Sequence, residues 1–74
     1  LFSGLLEKLI ATLKPREQIV IRLLDLEERS VREIEALTGW GSSKIKVTAM
    51  RARRKLAEQI QQLEMQSQGD PETI

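Results

Sequence analysis

Residues 42–56 carry Lys44, Lys46, Arg51, Arg53, Arg54 and Lys55 and not one acid. The rest of the chain runs the other way. Residues 1–30 are neutral, with five cations and five anions, residues 31–41 sum to −1 and residues 57–74 to −4, leaving the whole at +1. A positive excess confined to one segment is suited to anion binding. A polyanion such as a nucleic acid backbone is the strongest match for cations in a row, because neutralising its phosphates releases condensed counterions.

Other chemistry is poorly served. The chain has no Cys and no His, which removes thiolates, the commonest metal ligand and the commonest general base together. Glu7, Glu17, Asp25, Glu27 and Glu28 are interspersed with Lys and Arg and read as solvated helical surface rather than as paired catalytic carboxylates. The run "GWGSSK" lacks the spacing and the preceding strand of a nucleotide-binding phosphate loop. The expectation is no catalytic residue, no metal, no cofactor and no small-molecule ligand. No apolar run approaches the roughly 18 residues of a membrane span, and no signal-peptide pattern is present, so a cytoplasmic location without membrane contact is expected. A first residue of Leu1 rather than Met points to a piece of a longer protein.

The elements that position the basic segment follow from the hydrophobic pattern. At 74 residues the chain feeds one core. Its apolar residues are mostly Leu, Ile and Val, with one Phe and one Trp, which favours helices. The reading is all-α: a small four-helix domain over residues 1–65, containing a helix-turn-helix without a winged element, and a polar, disordered tail over residues 66–74.

Phe2, Leu5, Leu6, Leu9, Ile10 and Leu13 recur at helical spacing, and this first helix should end near "LKP", because the residue before a proline is pushed out of the helical region. Pro15 suits the first position of a second helix. That helix turns Ile19, Val20, Leu23 and Leu24 inward, with Leu26 a further candidate, and the charged "EERS" follows as a loop. Ser30 with Glu33 three positions later forms a capping box. The third helix, "VREIEALT", presents Val31, Ile34 and Leu37 on one side, placing Leu37 against the fourth helix, and stops at Gly39. Ser42 or Ser43 caps a fourth helix that meets no breaker before Gly69. Trp40, in the turn, is read as a core plug.

On that fourth helix Ile45, Ala49, Ala52, Leu56, Ile60 and Leu63 fall within a stripe about 80° wide at 100° per residue. Ser43, Val47, Met50 and Arg54 lie opposite, Lys46 and Arg53 along one shoulder, and Lys44, Arg51 and Lys55 toward the other. Cations at both edges of an exposed face with Val47 and Met50 in its middle are the composition of a major-groove helix. Uncharged side chains there meet base edges, thymine methyls included, while flanking cations reach phosphates. A short capped helix, a glycine turn and a longer basic helix are the order of a helix-turn-helix. Ser42 and Ser43 at the start of the last helix can offer amides and hydroxyls to a phosphate.

With "LKPREQIVIRLLDLEERSVREIEALTG" followed by "SSKIKVTAMRARRKL", the chain resembles region four of bacterial RNA polymerase sigma factors, the extracytoplasmic-function group most closely. Leu13, Pro15, the apolar run from Ile19 to Leu24, Ser30, Ile34, Gly39, Ile45, Lys46, Arg51, Ala52, Arg53 and Leu56 stand at matching positions over about residues 10–60. The resemblance implies recognition of the promoter −35 element within RNA polymerase holoenzyme, docking on the flap tip of the polymerase β subunit, and room for an anti-sigma factor as a further partner. It puts the base-reading positions on Lys46, Val47, Met50 and Arg51, with Lys44, Arg53 and Arg54 placed for phosphates; the start of the helix adds Ser42 and Ser43, and its flank adds Lys55. Val47 stands where the family often has a small polar residue, and Thr48 where it often has Arg. A monomer is expected. Two other classes fit the pattern less well: the output domain of a response regulator, which would bind a repeated site as a dimer, and an interaction module whose basic helix binds an acidic protein or membrane surface.

Overall fold

Pro15 divides the first two helices. In the computed structural model, which describes the backbone of residues 2–68 and the side chains of residues 4–65, α1 spans Phe2–Ala11 and α2 opens at Pro15. Between them Lys14 is extended, at φ −66° and ψ 152°, as a residue before proline must be. The Gln18 side-chain amide donates to the Leu13 carbonyl at 2.9 Å and closes the joint.

Helix α2 is regular over Pro15–Ile21 and then widens into a π-helical turn, Arg22–Leu26. The Glu27 amide donates to the Arg22 carbonyl at 2.9 Å and the Arg29 amide to the Leu23 carbonyl at 2.8 Å. Glu28 takes a left-handed φ of 55°, which ends the element without a glycine. Helix α3, Val31–Thr38, begins with the expected capping box: the Glu33 amide donates to the Ser30 hydroxyl at 3.0 Å and the Ser30 amide to the Glu33 carboxylate at 2.8 Å. It ends at Gly39 in the left-handed conformation, φ 81°, where a side chain would be strained. After the three-residue turn, α4 runs over Ser42–Gln68. The first intrahelical bond goes from the Ile45 amide to the Gly41 carbonyl, so the N-cap is Gly41 rather than either serine. Among the described residues there is no strand. The expected tail begins inside the last turn of α4, and its residues 69–74 lie outside the described residues.

Two adjoining apolar clusters form the core. One joins α1, α2 and α4 through Ile10, Leu13, Ile21 and Ala52, with Leu6 and Leu56 at its edge. The other joins α2, α3 and α4 through Val20, Ile34, Ile45 and Ala49, with Leu23, Leu24, Val31 and Trp40 around it. Neighbours Val20 and Ile21 enter different clusters, so α2 is wedged between them.

Four expectations are corrected here. Ile21 is core although the pattern left it out, and Ile19 and Leu26 are exposed, because a helix wedged between two clusters buries adjacent residues instead of one stripe. Leu5 is likewise exposed. Leu37 is 60% exposed: α3 docks through Val31, Ile34, Glu35 and Thr38, whose centre lies about 110° around the helix from Leu37 at the α-helical step. Ile60 and Leu63, at 44% and 40% exposure, continue the apolar stripe of α4 past the point where α1, α2 and α3 can cover it.

Candidate nucleic-acid interface

The front of α4 is free because its back is held. Ile45, Ala49 and Ala52 are fully or almost fully buried, and about half a turn around the helix stand Lys46, Val47, Met50 and Arg51, all exposed. Val47 and Met50 keep 39% and 51% of their surface in solvent. The four residues expected to read bases thus share one open face. Ser43, Lys44 and Arg54 are exposed beside them, with Ser42 half-buried at the helix start. Small alanines at the contact let α4 sit close on α2, and the turn Gly39–Trp40–Gly41 fixes where α4 leaves α3. In that turn the Thr38 hydroxyl donates to the Ile34 carbonyl at 2.7 Å and accepts from the Trp40 amide at 3.1 Å. Trp40 packs against the second core cluster, as expected of a plug.

The two shoulders of α4 are anchored by opposite ends of one element. Arg53 makes a two-pronged bond to Asp25 in the π turn, Nε at 2.9 Å and Nη2 at 2.5 Å. That bond raises the guanidinium pKa above its ordinary value, against a smaller opposing effect of burial. On the other shoulder the Lys55 ammonium donates to both carboxylate oxygens of Glu17, at the start of α2, each at 3.0 Å. Glu17 is the one charged or polar side chain found buried among the described residues, at 5% exposure, which corrects its reading as solvated surface. Burial would raise its carboxyl pKa, but the Lys14 amide at 3.0 Å and the Lys55 ammonium outweigh it and hold the carboxyl below its ordinary value. A third two-pronged pair, Arg22 with Glu7 at 3.0 and 2.8 Å, links α2 to α1.

Six cations of the basic segment therefore divide. Arg53 and Lys55 are bonded to carboxylates, whereas Lys44, Lys46, Arg51 and Arg54 have no carboxylate partner among the described residues. Nothing in the periodicity separates the two groups, since the acids they meet lie 28 and 38 residues away. Two further cations, Lys14 and Arg16, also face the flank of α4. Their only sequence signal is their position around Pro15, at the mouth of α2. Among the described residues no three carboxylates converge to hold a metal ion, and no helix is long and apolar enough to cross a membrane.

An arrangement of this kind presents one helix to a groove about as wide as the helix itself, with apolar atoms centred and cations at the margins. B-form DNA offers that groove. Residues 3–56 match the family model described as Sigma-70, region 4. No curated protein and no solved structure shows a significant match.

Proposed function

Because the chain belongs to the sigma-70 region 4 family, whose members serve sigma factors in binding promoter −35 DNA, we propose that it reads a specific −35 sequence through the front of α4 while docked on RNA polymerase. Lys46, Val47, Met50 and Arg51 contact base edges. Arg51 makes the two-pronged contact that an arginine offers to guanine, and Val47 and Met50 supply apolar contact for thymine methyls. Lys44 and Arg54 reach phosphates beside them, with the start of α4 at Ser42 and Ser43 offering backbone amides. Arg53 and Lys55 contribute through their positive charge while they brace α4 against the π turn and α2.

One observation carries this reading: two solvent-exposed apolar residues, Val47 and Met50, stand among unpaired cations on a helix whose opposite side is buried. A face of that kind has no role in the domain's own core. The β-subunit flap tip is the docking partner that family membership favours, and an anti-sigma factor is a further partner consistent with it. The chain acts as a monomer in this reading, because a single α4 suffices for one element.

Fluorescence anisotropy on two duplexes, one with a GGAAC-type −35 element and one scrambled, tests it at two salt concentrations. Tighter binding to the element, with both affinities falling as salt rises, is the expected result. Salt-dependent binding without preference would remove the base-reading assignment, and absence of binding at low salt would move the basic face to a protein partner.

A further inference from the structure

Beside the front of α4 lies an open groove of about 530 Å³ between the start of α2 and one flank of α4. Five cations line it: Lys14 just before α2 and Arg16 in its first turn, and Arg51, Arg54 and Lys55 from α4. Two acids share it, Glu17 and Glu58, so the lining carries a net charge of +3. Glu17 is already engaged, because its carboxylate accepts from the Lys14 amide and the Lys55 ammonium. Lys14, Arg16, Arg51 and Arg54 have no carboxylate partner among the described residues.

A cluster of like charges is held here by the fold. Lys55 and Glu17 pin the start of α2 against α4, which brings Lys14 and Arg16 to the edge where Arg51 and Arg54 emerge. Arg16 is itself positioned, with its guanidinium carbon 5.1 Å from the centre of the Trp40 ring, a cation–π distance. A cation–π contact of this kind uses none of the guanidinium N–H donors. Thr48 adds a hydroxyl to the lining. Four unpaired cations with a hydroxyl donor around one recess make a site for a tetrahedral, multiply accepting anion.

We propose that this groove is a second backbone site, in which Lys14 and Arg16 hold a DNA phosphate that flanks the base pairs read by α4. The inference rests on the DNA-binding reading above and extends it from one helix to two. Arg51 stands at the junction, between the base-facing row and the groove, and a phosphate seated in the recess fixes the strand on that side of α4. The contact is blind to sequence, so it supports affinity and register and leaves base preference alone.

The test uses the full chain with Lys14→Ala, Arg16→Ala, the double variant and the charge reversal Lys14→Glu, on the element-bearing and scrambled duplexes across a salt series. Each alanine should lower the slope of log affinity against log salt by about one on both duplexes, and the double variant by about two, with the ratio between duplexes unchanged. Lys14→Glu should bind more weakly than Lys14→Ala. A methylphosphonate scan, which neutralises one phosphate at a time, should find a position that weakens the wild type and has no effect on the double variant. Circular dichroism melting of each variant controls for folding; Lys14→Ala retains the backbone amide that bonds Glu17. A wild type that prefers the element, with variants of unchanged slope and an unchanged phosphate scan, overturns the groove and leaves the reading of α4 standing. A wild type that binds neither duplex overturns both.

Discussion

Arg53 and Arg54 are neighbours in the chain and belong to different parts of the molecule. Arg53 lies on a shoulder of α4, where Asp25 of the π turn meets it in two bonds. Arg54 lies on the front, exposed and without a carboxylate partner among the described residues. The same contrast separates Lys55, fixed to Glu17, from Lys44 and Lys46. A helix shows a neighbour a new direction every 100°, so adjacent cations with identical chemistry are divided between holding the fold and meeting a ligand by the position of two acids elsewhere. Six cations in fifteen residues are therefore two sets, and a substitution in each should be felt in a different measurement.

The largest effect should come from behind both sets. Ile45→Ala removes a side chain with no exposed surface, packed with Val20, Ile34 and Ala49, and should cost about 2–5 kcal/mol in urea unfolding. In a domain this small that loss should also abolish DNA binding, since front and shoulders are presented by the same buried stripe. Retained stability would mean that α4 is held by its ion pairs instead. Next in size is Arg51→Ala, a front substitution. It should leave the unfolding curve nearly unchanged, weaken binding to the specific element by about 1–3 kcal/mol and flatten preference at one base pair. An equal loss on scrambled DNA would transfer Arg51 from the base-reading row to the phosphate groove.

The shoulder on the α2 side should show itself in acid. Because the Glu17 carboxyl sits below its ordinary pKa when folded, its contribution to stability is complete above the ordinary carboxylate value and is lost as pH falls through the lowered one. Wild-type unfolding free energy should therefore decline as pH drops below about 5, and Glu17→Gln should flatten part of that decline. The Glu7 carboxyl, also lowered through its bond from Arg22, should account for a remaining slope. An unaltered acid profile in Glu17→Gln would show that the Lys55 pair does not steady the fold. Smaller still is the direct contrast of the two neighbours: Arg53→Ala should cost at most about 1 kcal/mol of stability, as partly exposed pairs do, whereas Arg54→Ala should leave stability intact and reduce the salt slope of binding by about one. If both variants change the slope alike, Asp25 releases Arg53 to the DNA.

Helix boundaries were legible wherever the chemistry is local. Pro15, the Ser30 and Glu33 box, and Gly39 each act within a few residues of themselves, and α1 ends, α2 begins and α3 begins and ends where those residues require. The first half of α4 was legible too, since Ile45, Ala49 and Ala52 meet partners that cover the whole stripe. The same stripe failed at Ile60 and Leu63, because periodicity says which residues share a face and is silent on where the neighbouring helices stop. Ile21, the Lys55 partner of Glu17 and the pairing of Arg53 were hidden for the same reason: Lys55 and Asp25 lie 38 and 28 residues from the groups they bind, and Ile21 is buried on a second helix face. The front of α4 was readable as a set, and its partition from the shoulders was not.

Leu37 supplies the smallest effect and the sharpest separation of pattern from structure. By spacing it belongs with Val31 and Ile34, and a buried leucine there would lose about 2–5 kcal/mol on truncation to alanine. At 60% exposure it has little apolar contact to lose, and alanine is the better helix former, so Leu37→Ala should change unfolding free energy by no more than about 0.5 kcal/mol. DNA affinity should stay at the wild-type value, because Leu37 is on α3 and away from the front of α4. A loss of 2 kcal/mol or more would rotate α3 about its axis relative to the description above. That rotation would carry Ile34 away from Ile45, and with it the support that keeps Lys46, Val47, Met50 and Arg51 on one open face.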